Sequence, residues 1–463
     1  MAHDDLEIGN HYFCREETTG KGHCGIFNFD VNEMTVELYA FDEMHIGVDF
    51  KDVLNLRLAN NTILSLHNNI QAGGTVGYTE FENQRTTRCL RILSNIVIAG
   101  DSQWLQSDPV RRVSFSIKYA EELLRYSDKY DAILEAELGD MPDTTLFALE
   151  ADGMTFKAWY PVSGGFSLKP AHVGVRYGID FHEARNLTSY MPELLRLLQF
   201  VSAALGHYFI PSEIQFSRLT GAEYMAAVEA RKGYREHKVH RIWPPDAPAH
   251  GLWIDTSFAH VRGEAELAAF LECLKAWIVR DATWRSAHNL MMGSLGLQHV
   301  LSGERLLNAC RWLEKIPGAD SEIAVSDEDI DAIAEVASAE AETRGHRDYK
   351  KRIVGVIRQK LKKESNRERF TRLHNSICEK FGSDALSESV VEYLLKAMQF
   401  RGDMAHGHFE PINETEWRSF EKATYAMEAF CYLLTIRDLP MSDDGRQRAV
   451  RQQIVANFFQ CPA

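Results

Sequence analysis

The first half of the chain alternates hydrophobic and polar residues in short segments that Gly, Asn and Asp separate. The alternation is clearest at residues 36–40, 62–66, 112–117, 146–149 and 154–159. A period of two residues is typical of β-strands that bury one face. We therefore predict a β-rich N-terminal half with sandwich-like architecture and a few packed helices.

Beyond residue 263 the apolar residues recur with the period of an α-helix. Ser326, which three acidic residues follow, is a good helix cap, and Gly318 and Gly382 follow predicted helix ends. The predicted helices cover residues 263–281, 287–315, 326–344, 347–364, 368–381, 386–401 and 413–437. We expect this half to be all α, which makes the fold class α+β.

The segment between the two halves is rich in proline. Residues 241–262 contain Pro244, Pro245 and Pro248, and proline-rich polar segments form extended spacers. We predict a β-rich domain at 1–240, this linker, an all-α domain at 263–440 and a C-terminal tail at 441–463.

Composition narrows the class of protein. With 463 residues, 45% hydrophobic and 25% charged, the chain has the make-up of a globular protein with two or three domains. Its eight cysteines are sparse, which is typical of buried thiols in a reducing compartment. We find neither a signal segment nor an apolar run of ~18 residues, so we predict a cytoplasmic protein without a membrane segment.

Two short clusters lack the spacing of a known ligand site. Glycines at 73–77 do not match a phosphate-binding loop, and we predict a loop or a β-bulge there. The His and Cys residues at 11–24 match no usual zinc pattern. We predict no metal and no cofactor.

A polar cluster ends the penultimate predicted helix of the all-α half, where Arg401, Asp403, His406 and His408 stand close together. On a straight helix, residues five apart differ by about 140° around the axis. Arg401 and His406 would share a face only if the backbone breaks between them. We expect that break at Gly402 and Asp403.

The sequence Arg-Gly-Asp-Met-Ala-His-Gly at 401–407 resembles the Arg-x4-His motif, more fully R-N-x-x-A-H-G, of HEPN domains. These are helical bundles found in metal-independent endoribonucleases. Gly402 stands where that family usually has Asn, Asp or His. Upstream, residues 113–117 and 184–209 look like the N-terminal domain of ApeA-type HEPN proteins of bacterial anti-phage defence.

The resemblance implies a metal-independent endoribonuclease of abortive infection, with RNA, including tRNA, as substrate. It also implies a homodimer through the HEPN domain and a phage-derived trigger for which the β-rich domain is the sensor. Arg401 and His406 would be catalytic. Asp403 would orient His406 or cap the next turn, and His408 would contact substrate or be a surface residue.

Residue chemistry fits those roles. RNA cleavage without a metal needs a group that takes a proton from the ribose 2′-OH and returns one to the departing 5′-oxygen. Histidine, with an ordinary pKa of ~6.5, can do both near neutrality. An arginine fork suits the negative charge on the phosphate oxygens in the transition state.

A basic segment precedes the motif. The net charge of the chain is −15, yet residues 344–372 hold twelve Lys and Arg against three acids. The segment is either a solvated helix face or a surface for an RNA backbone. Its candidate RNA-binding residues are Lys350, Lys351, Arg352, Arg358, Lys360, Lys362, Lys363, Arg367 and Arg369.

Two alternative functions remain open. One is a non-catalytic HEPN module that binds RNA or protein, with a β domain that senses a ligand; Gly402 favours it. In the other, the β-rich half binds a small molecule or a glycan and the helices only dimerise.

Overall fold

The computed structural model describes most of the chain. The described residues are 6–19, 21–30, 32–41, 52–79, 85–118, 120–137, 140, 142–164, 170–230, 236–243, 256–322, 325–361, 363–406 and 413–461. Contacts divide the chain into a sheet unit, Met1–Leu198 with Phe209–Asp246, and a helical unit, Gln199–Tyr208 with Ala247–Ala463. The predicted linker stays a prediction, because residues 244–255 lie outside the described ranges.

The α+β fold class is confirmed. Fourteen strands of the described sheet unit form one antiparallel sheet in the order β10-β11-β14-β9-β15-β16-β8-β5-β4-β1-β2-β3-β7-β6, and β12 pairs with β13. The strands are β1 (Asn10–Glu16), β2 (Cys24–Phe29), β3 (Met34–Phe41), β4 (Val53–Leu58), β5 (Ile63–His67), β6 (Ile70–Thr79), β7 (Arg85–Ser94), β8 (Ile96–Gly100), β9 (Val110–Ile117), β10 (Thr145–Ala151), β11 (Met154–Trp159), β12 (Val162–Gly164), β13 (Pro170–Val173), β14 (Arg176–Arg185), β15 (Pro211–Ser217) and β16 (His237–Arg241).

Local sequence explains much of this sheet. The loop between β10 and β11 is Asp152-Gly153, and both residues have a positive φ (52° and 71°), as a tight hairpin requires. The glycine cluster lies in β6, where the register shifts between Gln71 and Gly73. This irregularity within a strand agrees with the predicted loop or β-bulge. Apolar residues at alternate positions, among them Val36 and Leu38, form the buried core of this region.

Three α-helices of the first half are α1 (Ser127–Glu135), α2 (Met191–Leu205) and α3 (Gly221–Glu229). The helices that follow are α4 (Glu264–Gly296), α5 (Gly303–Lys315), α6 (Asp327–Thr343), α7 (Lys350–Leu361), α8 (Asn366–Phe381), α9 (Val390–Ala405), α10 (Glu414–Ile436), α11 (Asp443–Ala449) and α12 (Gln453–Gln460). No described helix has both the length and the apolar character that a membrane crossing requires.

The predicted interruption at 281–287 is wrong. Helix α4 continues through it because residues 282–286 contain neither Gly nor Pro, and Trp284 and Ala287 are buried. The chain instead leaves the helix after Gly296. Ser302 then caps α5 by accepting a hydrogen bond from the backbone N–H of Arg305 at 3.3 Å.

The other helix caps follow the sequence closely. Ser326 caps α6, as predicted, with its hydroxyl 3.1 Å from the backbone nitrogen of Asp329. The predicted C-terminal tail contains α11 and α12, and Phe458 of α12 is buried. The described part of this segment, residues 441–461, is therefore largely helical.

Candidate functional site

Helix α9 carries the Arg-x4-His motif without interruption. It runs from Val390 to Ala405, and the backbone N–H of His406 donates to the carbonyl of Gly402 at 3.2 Å. The predicted break at Gly402 and Asp403 is wrong. A glycine costs about 1 kcal/mol inside a helix, and the burial of Leu394 on the same helix outweighs it.

An unbroken helix sets the directions of the two motif side chains. Five residues correspond to about 7.5 Å along the axis and about 140° around it. Arg401 and His406 therefore leave α9 on different sides. A single chain does not place them on one helix face.

Arg401 lies against helix α5. Its Nη2 atom is 2.7 Å from Oε1 of Glu314, and the two side chains are 33% and 41% exposed. An ion pair this accessible contributes at most about 1 kcal/mol, so a stronger anion can displace the carboxylate. Burial raises the pKa of the neighbouring Cys310 thiol to about 12, although the charge of Arg401 opposes that shift. Cys310 is thus a protonated thiol rather than a nucleophile.

The other polar residues of the motif have separate environments. His406 is exposed at the C-terminal end of α9. Asp403 lies inside that helix. Its predicted role, orienting His406 or capping the next turn, stays a prediction, because residues 407–412 lie outside the described ranges. Helix α10 is capped by Asn413, whose side chain accepts from the backbone N–H of Glu416 at 2.9 Å. His408 lies outside the described residues.

The fold brings acids to the basic segment from elsewhere in the chain. Arg358 pairs with Asp331 at 2.8 Å, and Arg367 pairs with Glu392. Lys350 is 3.9 Å from Glu342. The excess of positive charge along the sequence is therefore smaller in space than the residue count suggests.

One predicted RNA-binding residue is buried. Arg369 is 8% exposed, and its Nε donates to the carbonyl of Ala319 at 2.5 Å. Burial lowers the pKa of this guanidinium. Arg369 connects the start of α8 to the loop after α5, which is a structural role.

Three exposed candidates have no carboxylate partner among the described contacts, namely Lys351, Arg352 and Lys363. The three paired candidates are exposed as well. The Lys360 side chain and Lys362 lie outside the described part of the chain. The RNA-binding prediction thus depends on the start of α7 and on Lys363.

Metal and thiol chemistry has little support in the described ranges. No group of three or more His, Cys, Asp or Glu there could hold a metal ion. His11 lies 2.6 Å from the amide oxygen of Asn28, in the neighbouring strand. All eight cysteines are free thiols.

The sequence analysis did not predict some of the residues near the motif. Glu314 was missed because its pairing with Arg401 depends on how two helices pack. A polar pocket between α9 and α10 was missed for the same reason, although the i, i+4 spacing of Arg418 and Lys422 on a predicted helix was a usable signal.

Comparison of the chain with protein-family models, curated proteins and solved structures gave no match. Any function for this site must therefore be argued from its own residues and from the resemblance of residues 401–407.

Proposed function

We propose that the chain is a metal-independent endoribonuclease in which Arg401 binds the scissile phosphate and His406 transfers protons. The observation that carries the proposal is the position of the Arg-x4-His motif. It occupies the solvent-accessible C-terminal end of α9, in a helical unit, where Arg401 pairs with the half-exposed carboxylate of Glu314.

The chemistry needs no group beyond these side chains and the RNA. The 2′-oxygen forms a bond to phosphorus as a base removes its proton, and the bond from phosphorus to the 5′-oxygen breaks as that oxygen gains a proton. An imidazole serves as base or acid near neutral pH. The guanidinium of Arg401 exchanges Glu314 for the phosphate oxygens and stabilises their charge in the transition state.

The directions of the two side chains favour a homodimer. Because Arg401 and His406 leave one unbroken helix about 140° apart, a compact site can combine Arg401 of one chain with His406 of a second copy. A symmetric dimer through the helical unit would form two such sites.

The biological setting in this proposal comes from the resemblance. The substrate is cellular RNA, including tRNA, in the cytoplasm of a bacterium under phage attack. The sheet unit senses a phage-derived trigger and controls the helical unit.

Two observations also fit a second candidate function, a non-catalytic RNA-binding module. The Arg401–Glu314 ion pair and the unbroken α9 are also what a purely structural motif would show. In that case the exposed cations of α7 bind RNA and nothing cleaves it.

The deciding experiment incubates purified protein with total RNA in EDTA. Wild type should cut, and Arg401→Ala and His406→Ala should each lose at least about 100-fold in rate, the usual contribution of a charge-stabilising or proton-transfer group. Matched controls are Arg125→Ala, an exposed arginine paired with Glu122, and His299→Ala, an exposed histidine. Both controls should stay within twofold of wild type.

Two results would overturn the nuclease. One is a wild type that binds RNA but leaves it intact, also after addition of phage lysate as a source of trigger. The other is cleavage by both motif variants at the wild-type rate. The first result would establish the binding module.

A further inference from the structure

We infer that a polar pocket between α9 and the first turns of α10 binds a backbone phosphate of the same RNA whose scissile phosphate Arg401 takes. This inference deepens the proposed function and rests on it. The pocket has a volume of about 410 Å³ and lies entirely in the helical unit. Its lining comprises Tyr393, Lys396, Thr415, Arg418, Ser419 and Lys422, with one acid, Glu414.

Lys422 is the least accessible cation of the pocket. It is only 8% exposed, and its ammonium donates to the backbone carbonyl of Cys461. The ammonium also lies 4.9 Å from the ring centroid of Phe458 and 5.8 Å from that of Tyr393. An ammonium has three donors, and no described carboxylate pairs with this one. Among the described residues, this ammonium at the pocket wall therefore forms no ion pair.

Two further cations stand closer to solvent. Lys396 is exposed, with its ammonium 5.2 Å from the ring centroid of Tyr393. Arg418 donates through Nη2 to Oε1 of Glu414 at 2.6 Å, and both side chains are exposed. An exposed i, i+4 pair of this kind is weak, so a phosphate can replace the carboxylate at little cost.

The remaining lining suits an oxyanion. Thr415 and Ser419 bring two hydroxyl donors, and Thr415 lies in the first turn of a 23-residue helix. Backbone N–H groups at such a turn favour negative charge. Three cations and two hydroxyls therefore surround a space in which the one acid is already paired.

The pocket and the motif share helix α9. Lys396 precedes Arg401 by five residues, which is about 7.5 Å along the axis and about 140° around it, so the pocket and Arg401 lie on different sides of the helix. The pocket residues of α10 follow His406 closely in the chain. In a protein with a net charge of −15, a local group of cations is where a polyanion finds attraction. Since RNA carries a phosphate on every nucleotide, one strand can reach both places.

The test measures binding without cleavage. The probe is a fluorescent 2′-O-methyl RNA oligonucleotide, which has no 2′-OH and cannot be cut, and anisotropy gives its affinity for the full-length protein. We expect the double variant Lys396→Ala/Arg418→Ala to bind at least tenfold more weakly. The slope of log K against log salt should become shallower by about 0.7 for each phosphate that the variant no longer neutralises. Lys422 is left in place because it also holds the C-terminal helix.

Two companion variants separate charge from fold. Lys396→Arg/Arg418→Lys keeps both charges and should stay within threefold of wild type. Lys275→Ala/Arg91→Ala removes one exposed lysine and one exposed, paired arginine elsewhere, and should stay within twofold. Equal melting temperatures confirm that all variants are folded.

Wild-type affinity in the double alanine variant would overturn the inference. If, in addition, inorganic pyrophosphate raises the melting temperature of wild type but not of the variant, the pocket is a site for a small phosphate compound and not for RNA. Loss of binding in a protein that cuts no RNA would support the pocket and overturn the nuclease. If wild type cuts RNA and the double alanine variant binds RNA as tightly as wild type, the nuclease is supported and the phosphate pocket is overturned.

Discussion

Two buried polar features, one from each unit, differ in kind. In the sheet unit two single histidines are buried: His67 on β5 is 2% exposed and His237 on β16 is 1% exposed. In the helical unit two opposite charges are buried as a pair, Arg305 on α5 and Glu428 on α10, whose side chains are 1% and 0% exposed. Acid should act through the histidines, whereas the ion pair should be sensitive to the loss of one partner.

The buried ion pair has the geometry that such a pair needs. Nε and Nη2 of Arg305 donate to the two carboxylate oxygens of Glu428 at 2.8 and 2.7 Å, and Nη1 donates to the carbonyl of Gln298 at 2.8 Å. This fork uses most of the donors of the guanidinium. The pair joins α5, which also carries Glu314, to α10, which lines the proposed phosphate pocket.

Burial favours the neutral form of both His67 and His237. Burial lowers the pKa of His67 to about 4. The pKa of His237 is lowered first by burial and then by the charge of Arg218, and its Nε2 lies 3.1 Å from the hydroxyl of Ser102. A charged imidazole at these positions would oppose folding.

The largest expected effect is removal of one partner of the buried pair. Glu428→Ala should lower the free energy of unfolding of the helical unit by about 3–5 kcal/mol, because it leaves the Arg305 charge buried and unmatched. Hydrogen exchange measured by mass spectrometry should show the loss in peptides of α5 and α10, with peptides of β4 and β5 unchanged.

A second variant shows whether the cost comes from unmatched charge. Arg305→Met/Glu428→Leu replaces the pair with apolar side chains of similar size, so it should recover most of the lost stability. If hydrogen exchange in Glu428→Ala becomes faster by the same factor in peptides of the sheet unit and of the helical unit, the ion pair does not stabilise the helical unit alone.

A smaller effect follows from acid. At pH 5 an unfolded histidine binds a proton and folded His67 does not, so stability falls as the pH falls from about 6.5 towards 4. From pH 7 to pH 5 this one residue should cost the sheet unit about 2 kcal/mol. Hydrogen exchange of β5 peptides at the two pH values, corrected for intrinsic rates, measures the loss.

Substitution of His67 tests whether this residue causes the loss of stability in acid. His67→Leu should reduce the pH-dependent loss by about 2 kcal/mol, whatever it does to stability at pH 7. His11→Gln changes an exposed histidine of the same sheet and should leave the difference as it is. An unaltered pH dependence in His67→Leu would show that other groups cause it.

Sequence patterns predicted the local features of both units well. Period-two alternation located β3, β5, β9, β10 and β11, and Ser326 located the start of α6. These features depend on neighbours in the chain, which propensity and capping rules describe. The high density of positive charge at 344–372 was also visible, but its acidic partners were not.

Features that depend on packing were not predictable. Gly402 looked like a helix breaker, yet α9 passes through it because buried residues earlier in the helix hold it in place. The partner of Arg401 is on α5, 87 residues earlier, and no local pattern points to Glu314. The same holds for the pairing of Arg305 with Glu428.

The smallest effect on stability concerns the exposed ion pair of the helical unit, which contrasts with its buried one. Glu314→Gln removes a charge from a half-exposed pair, so the free energy of unfolding should change by less than about 1 kcal/mol. If Arg401 binds the scissile phosphate, loss of its competing carboxylate should raise the cleavage rate at limiting RNA, or tighten binding of the 2′-O-methyl oligonucleotide. Glu340→Gln, at an exposed pair with Arg344, is the matched control and should change neither. Weaker RNA binding in Glu314→Gln would mean that the carboxylate positions Arg401 for the phosphate rather than competing with it.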